Sequence, residues 1–276
     1  MITTLTYLKG KILVLITFII ILSNNINAIT YTSIASGNWN NSSVWSPNGV
    51  PSAGDNVIIS SGNIININVA SACSSLTIST NGTANFSAIV TCAISGELNV
   101  SGTITGSQTG SFTSLQFIIP SGSIAKIGRS NISVSDTLII SGSYLVSSVI
   151  GTKIFSNIKM NSGSDWTNNS NNAASFTVSS DMIVYDGSII KGNVTSSIIV
   201  NGDLICSEAS GYADIGRCNL TVNGIVNISG DLRFVLNSGI KTFNGGITIN
   251  PNGQVDNTGG QNIFINGNLT NNGEDV

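Results

Sequence analysis

Ile198-Ile199-Val200-Asn201-Gly202 is answered one repeat later by Leu220-Thr221-Val222-Asn223-Gly224. This phrase, a short β-branched run closed by a glycine turn, recurs along most of the chain. Leu76-Thr77-Ile78 precedes Asn81-Gly82, Leu138-Ile139-Ile140 precedes Ser141-Gly142, and Ile247-Thr248-Ile249 precedes Asn252-Gly253. Ile263-Phe264-Ile265 before Asn266-Gly267 continues the series. Successive starts lie roughly 15 to 27 residues apart, averaging about 20, which is the scale of stacked repeat units.

Each run is too short to bury an apolar face alone. Stacked about 4.8 Å apart, successive copies pair every strand above and below and build a continuous interior. Asn-Gly and Ser-Gly suit the corners because both residue types tolerate unusual backbone conformations. Strict alternation in Ile65-Asn66-Ile67-Asn68-Val69 points its apolar residues to one side. The reading is an all-β chain forming a right-handed parallel β-helix of roughly ten coils. The same turns also fit hairpins in an antiparallel β-sandwich, which is the alternative fold.

Composition agrees with close stacking. Only 8% of the 276 residues are charged while 41% are hydrophobic, against about 25% charged in an average globular protein. A net charge of −3 and a pI near 4.7 exclude a nucleic-acid binder, which needs a basic footprint. Histidine is absent, which removes the Ser–His–Asp and Cys–His nucleophile systems and histidine-ligated metals. Neither a recurrent Gly-Gly-x-Gly-x-Asp spacing nor an EF-hand loop is present, so no metal and no cofactor are expected.

Lys9 and Lys11 precede the apolar run Ile12 to Leu22, and Ser23 to Ala28 follow. This is the pattern of a signal peptide over 1–28, cut after Ala28. The run falls short of the about 20 apolar residues of a membrane helix. The expectation is therefore a secreted or cell-surface protein with no membrane span after signal removal. Residues 29–75 read as an N-terminal cap with the first coils, and 76–276 as solenoid repeats that continue beyond the end of the chain.

Export draws attention to four cysteines. Cys73 and Cys92 are separated by close to one coil, and Cys206 and Cys218 are closer still. Three connectivities are possible. Local disulfides Cys73–Cys92 and Cys206–Cys218 are favoured, the first because one coil of separation sets two residues on neighbouring strands. Four buried free thiols are the other reading, since a large core needs no staples.

Candidate chemistry is sparse. Asp181, Asp186 and Lys191 are the least implausible catalytic group, but a glycosidase needs two carboxylates converging at about 5 to 9 Å, and solvated turn residues describe them better. No catalytic residue is assigned. Glu208, Tyr212, Asp214 and Arg217 form the densest polar and aromatic cluster, between Cys206 and Cys218, and suit a ligand-contacting loop. Trp39 and Trp45 read as plugs of the first coil. Trp166, in the turn-like Asp165-Trp166-Thr167-Asn168-Asn169, is expected to be exposed and available to a ligand. Thr103-Ile104-Thr105 has the form of an ice-binding threonine array but does not recur at the repeat period.

Residues 36 to 62 stand outside the repeat. They include Ser36-Gly37-Asn38-Trp39, Val44-Trp45-Ser46, Gly49-Val50-Pro51, Ala53-Gly54-Asp55-Asn56-Val57-Ile58-Ile59 and Gly62. This segment resembles the opening of secreted β-solenoid proteins common on Bacteroidetes surfaces. More loosely it resembles the glycine-rich domain named for its eight glycines, found in fibrocystin-like and hyaluronan-processing surface proteins. The resemblance implies a right-handed β-helix starting here, and implies no reaction. Members of the Bacteroidetes group often end in a sorting domain for type IX secretion, whereas this chain stops in mid-phrase with no polar cap. A fragment, or a capping partner at the C-terminal end, is expected from that.

The function expected from these features is non-catalytic: a secreted or cell-surface spacer or adhesin contacting surface glycans or neighbouring cells. The alternative is a polysaccharide-active hydrolase or lyase, or a fragment of one.

Overall fold

The computed structural model describes residues 28–146, 151–168, 174–185, 189–192, 196–207, 212–234 and 239–273. Of the expected signal peptide over 1–28, all but Ala28 lies outside them. The chain is a parallel β-solenoid in which one ladder counts eleven strands, roughly 50 Å long at the spacing of hydrogen-bonded strands. Each complete coil contributes a strand to each of three parallel ladders, so the solenoid has three faces. In one coil Cys218–Val222 belongs to face 1, Val226–Ile228 to face 2 and Asp231–Arg233 to face 3. The next coil repeats the order with Ile240–Phe243, Gly246–Ile249 and Gln254–Asp256. The antiparallel sandwich is thereby excluded: the one antiparallel pairing among the described residues joins Thr30–Ser33 to Trp45–Ser46.

Alternation within each short strand creates the core. On face 2, Val57, Leu76, Leu98, Phe117, Leu138 and Ile158 stack directly above one another and continue through Met182 and Leu204 to Val226. All are buried to within 1% of completely, and each such side chain contributes about 1.5–3 kcal/mol on burial. The interval in sequence is shortest from Val57 to Leu76 and from Leu98 to Phe117, and longest from Ile158 to Met182. The coil length thus varies while the register of the apolar column holds, because any slip by one residue would turn the whole strand inside out.

Variation in coil length is taken up at the corners. Between faces 2 and 3, Ser101-Gly102 makes a two-residue corner, whereas Ser79 to Gly82 makes a four-residue one with Asn81 at φ 62°. Between faces 1 and 2, Asn201, Asn223, Asn244 and Asn266 stack in a ladder of side-chain amides, with hydrogen bonds of 3.0, 2.8 and 2.8 Å.

The N-terminal segment packs two tryptophans into the start of the core. Trp39 and Trp45 are each 1% exposed and meet edge to face at 5.4 Å, and the Trp45 indole donates to the Trp39 carbonyl at 2.9 Å. The Asp55 carboxylate accepts hydrogen bonds from the backbone of Ile29 and from both the backbone and hydroxyl of Ser52, at 3.1, 2.8 and 2.7 Å. Burial pushes this carboxyl up, but the bonds from Ser52 and Ile29 outweigh it and hold the group below the usual range.

Candidate ligand-contacting patch

Tyr212–Ile215, Asp231–Arg233 and Gln254–Asp256 are consecutive strands of face 3. Their outward residues fall into two columns. Tyr212, Asp231 and Gln254 form one, and Asp214, Arg233 and Asp256 the other. The Arg233 guanidinium lies 3.9 Å from the Tyr212 ring centroid and grips one oxygen of Asp231 through Nη2 at 2.6 Å and Nε at 3.0 Å. The hydrogen bonds that Arg233 donates to Asp231, together with the charges of Asp231 and Asp256, raise the Arg233 pKa against the opposing effect of desolvation. Three carboxylates therefore surround one cation, beside an aromatic ring that is 39% exposed. This arrangement offers hydroxyl-accepting oxygens and an apolar ring edge.

The expected cluster is thus partly assembled. Tyr212 and Asp214 belong to the patch, Arg217 is exposed at the following corner, and Glu208 lies outside the described residues. Arg233, Asp231 and Asp256 were missed. The signal for them was available: one coil beyond Tyr212 and Asp214 falls on Asp231 and Arg233, and a second coil on Gln254 and Asp256.

Trp166 requires a correction. It is 1% exposed and sits in the interior, 5.6 Å from Tyr144 and 4.8 Å from Phe176. Its flanking Ser, Gly and Asn residues suggested a turn, but Asp165–Asn168 is a strand whose alternation sends Trp166 inward onto Tyr144.

Asp181 serves the backbone. Its carboxylate accepts the N–H of Asp203 at 2.8 Å, and that of Asp203 accepts the N–H of Ile225 at 2.7 Å. Asp186 lies outside the described residues, and Lys191 is placed only by its backbone, opposite Thr167.

All four cysteines are buried thiols. Cys73 and Cys92 both face inward, but the strands pair with Cys92 opposite Ser71 and Cys73 opposite Ile94. The local coil is thus two residues longer than the cysteine spacing, and the two thiols are diagonal neighbours. Cys73, acting through a side-chain hydrogen bond, together with burial, drives the Cys92 pKa well up. The two remain free thiols and meet as hydrogen-bonding diagonal neighbours. Cys206 lies on face 2 and Cys218 on face 1.

A second feature absent from the sequence reading is a pair of buried lysines. Lys153 and Lys241 are 3% and 0% exposed and occupy an apolar column of face 1, above Ile132 and Leu220. Lys153 Nζ donates to the carbonyls of Ser130 and Gly151, and Lys241 Nζ to those of Cys218 and Gly216. Gly151 and Gly239 have φ near 90°, and a Cβ on either would overlap those same Ser130 and Cys218 carbonyls. The surrounding sequence is duplicated at an offset of four coils. Ile127-Gly128-Arg129-Ser130-Asn131 matches Ile215-Gly216-Arg217-Cys218-Asn219, and Gly151-Thr152-Lys153-Ile154-Phe155 matches Gly239-Ile240-Lys241-Thr242-Phe243. Even the bonds repeat: Asn131 accepts the N–H of Thr152 and Asn219 that of Ile240, both at 2.9 Å. Comparing the chain with itself at multiples of the coil length would have found this.

No family model, no curated protein and no solved structure matches this chain.

Proposed function

We propose that the chain is a non-catalytic, exported β-solenoid that acts as a rigid spacer or adhesin at a cell surface, with the Tyr212–Arg233 patch contacting glycans of that surface or of neighbouring cells. One observation carries this reading: the face 2 ladder runs unbroken from Thr30–Ser33 to Asn268–Asn271. Such a stack sets a fixed distance between its ends, which is what a spacer requires. The use of Asp181 and Asp203 as backbone acceptors adds support, since carboxylates committed to adjoining coils are not poised for acid–base work.

The test combines fractionation with a substrate panel. The protein is expected in the medium or surface fraction, with no turnover of polysaccharides by the purified chain. Saturable cleavage that disappears in Asp181→Asn, with the fold intact, would replace this reading with a polysaccharide-active enzyme. Confinement to the cytoplasm would also overturn it.

A further inference from the structure

The outer surface of face 1 differs from the other two. Its outward residues form two columns running from Thr91 and Ala93 to Asn262 and Phe264 with no slip of register. None of these 18 positions is charged, and ten carry a hydroxyl, among them Thr113, Ser133, Thr177, Ser197, Thr221 and Thr242. By contrast, face 2 presents Glu97 and Lys159. Face 3 presents Lys126, Asp165 and the Arg233 patch. Its columns slip by two residues where Thr103 meets Lys126 and again where Ile189 meets Asp214.

We propose that face 1 is an ice-binding surface. Its hydroxyls and methyls repeat at about 4.8 Å between coils and about 6.6 Å along each strand. A partner that engages the whole array must itself repeat in two dimensions on that scale, as the oxygen lattice of ice does. Threonine is stiff at χ1, so its methyl and hydroxyl hold their places against such a lattice. Ammonium and carboxylate groups order water around themselves and would break the pattern, which accounts for their exclusion from this face alone.

Two other occupants fit less well. A crystalline polysaccharide calls for aromatic platforms, yet all three tryptophans are 1% exposed and the sole aromatic residue on the face is Phe264, at its end. A second copy of the chain would have to desolvate the central hydroxyls and amides, while the exposed Ile154 and Ile199 are separated by Thr177. The Thr103-Ile104-Thr105 segment lies on face 3 beside a register slip and has no part in the array. The inference is independent of the spacer reading, which would stand if ice binding failed.

The purified chain is frozen slowly from dilute solution, and its partition into ice is compared with its restraint of ice-grain growth. Wild type is expected to concentrate in the ice and keep grains small. Thr113→Lys/Thr177→Lys/Thr221→Lys is expected to lose partition at least tenfold. A face 2 control, Thr77→Lys/Asn99→Lys/Asn227→Lys, should stay within twofold of wild type, with folding of each checked by circular dichroism. If the face 1 triple variant unfolds, Thr177→Lys alone should show a partial loss. Exclusion of wild type from ice, or equal loss in both triple variants, overturns the proposal. Retention on crystalline cellulose or chitin without ice partition, abolished by the face 1 substitutions, overturns it in favour of a polysaccharide surface.

Discussion

The carboxylate of Asp181 accepts the backbone N–H of Asp203 one coil along, at 2.8 Å, and occupies the space in which a side chain at Gly202 would lie. A Cβ on Gly202 would overlap Asp181 Oδ1, and one on Gly224 would overlap Asp203 Oδ1. Neither glycine has a positive φ, so the glycine of these Asn-Gly corners is set by the coil below it and not by the turn. Gly202→Ala is expected to cost about 1–3 kcal/mol, as overpacking does. Asp181→Ala should cost about 1–2 kcal/mol through the orphaned N–H, while Asp181→Asn, which keeps an acceptor oxygen, stays close to wild type. Urea unfolding of the three variants checks the order.

Lys153 gives the protein a pH signature. Burial pushes its pKa down to about 8 from an ordinary 10.5. The folded state thus gives up this proton before the unfolded state does, and stability rises as pH climbs above 8. As pH approaches 9, the ordinary thiol value, the trend is increasingly opposed. Burial raises the Cys218 pKa to about 11, against the weaker opposing charge of Lys241, so the folded state resists a deprotonation that the unfolded chain undergoes. Between pH 8 and 9 the Lys153 contribution is expected to be about 1 kcal/mol, bounded by about 1.4 kcal/mol for one proton per pH unit, and the buried Cys92 and Cys218 thiols, with raised pKa values, offset part of it. Lys153→Met should flatten the slope in that window. A slope unchanged by the substitution would refute the assignment.

Trp166 and Tyr212 should separate stability from recognition. Trp166→Ala removes a buried ring and is expected to cost about 3–5 kcal/mol. Tyr212→Ala, on the surface, should change stability by no more than about 0.5 kcal/mol, yet weaken retention on a surface-glycan matrix severalfold. Melting curves and column retention on the same samples distinguish the two. Unchanged retention in Tyr212→Ala would remove the patch from the proposed function.

Thiol titration tests the register argument. In native buffer the four cysteines are expected to resist a thiol reagent, because they are buried and thiolate formation is disfavoured at Cys92 and Cys218. In denaturant without reductant, four thiols per chain should react. A count of two would mean that one pair bridges despite its diagonal or cross-face placement.

Fold class was legible because it is written in local chemistry repeated many times. Short β-branched runs and glycine corners at about 20-residue intervals suit stacked coils, and the tryptophans at 39 and 45 plug the first coil as their setting suggested. What failed locally was the reading of single positions. Trp166 lies among turn-like residues, yet one strand of alternation carries it into the core. The Cys73–Cys92 spacing resembles one coil, but the coil between those strands is slightly longer, by two residues. That difference is enough to replace a direct neighbour by a diagonal one.

The sequence by itself therefore determined the all-β repeat, the inward columns and the absence of histidine chemistry, because these depend on residue type and short-range alternation. Only the tertiary structure decided which residues share a surface. Corner lengths vary from coil to coil, so a residue's lateral neighbour is set by the sum of the preceding corners and the hydrogen-bond register that results. That is why Arg233 meets Tyr212, why Lys241 reaches the Cys218 carbonyl, and why face 1 gathers an uncharged array that no single stretch of sequence displays.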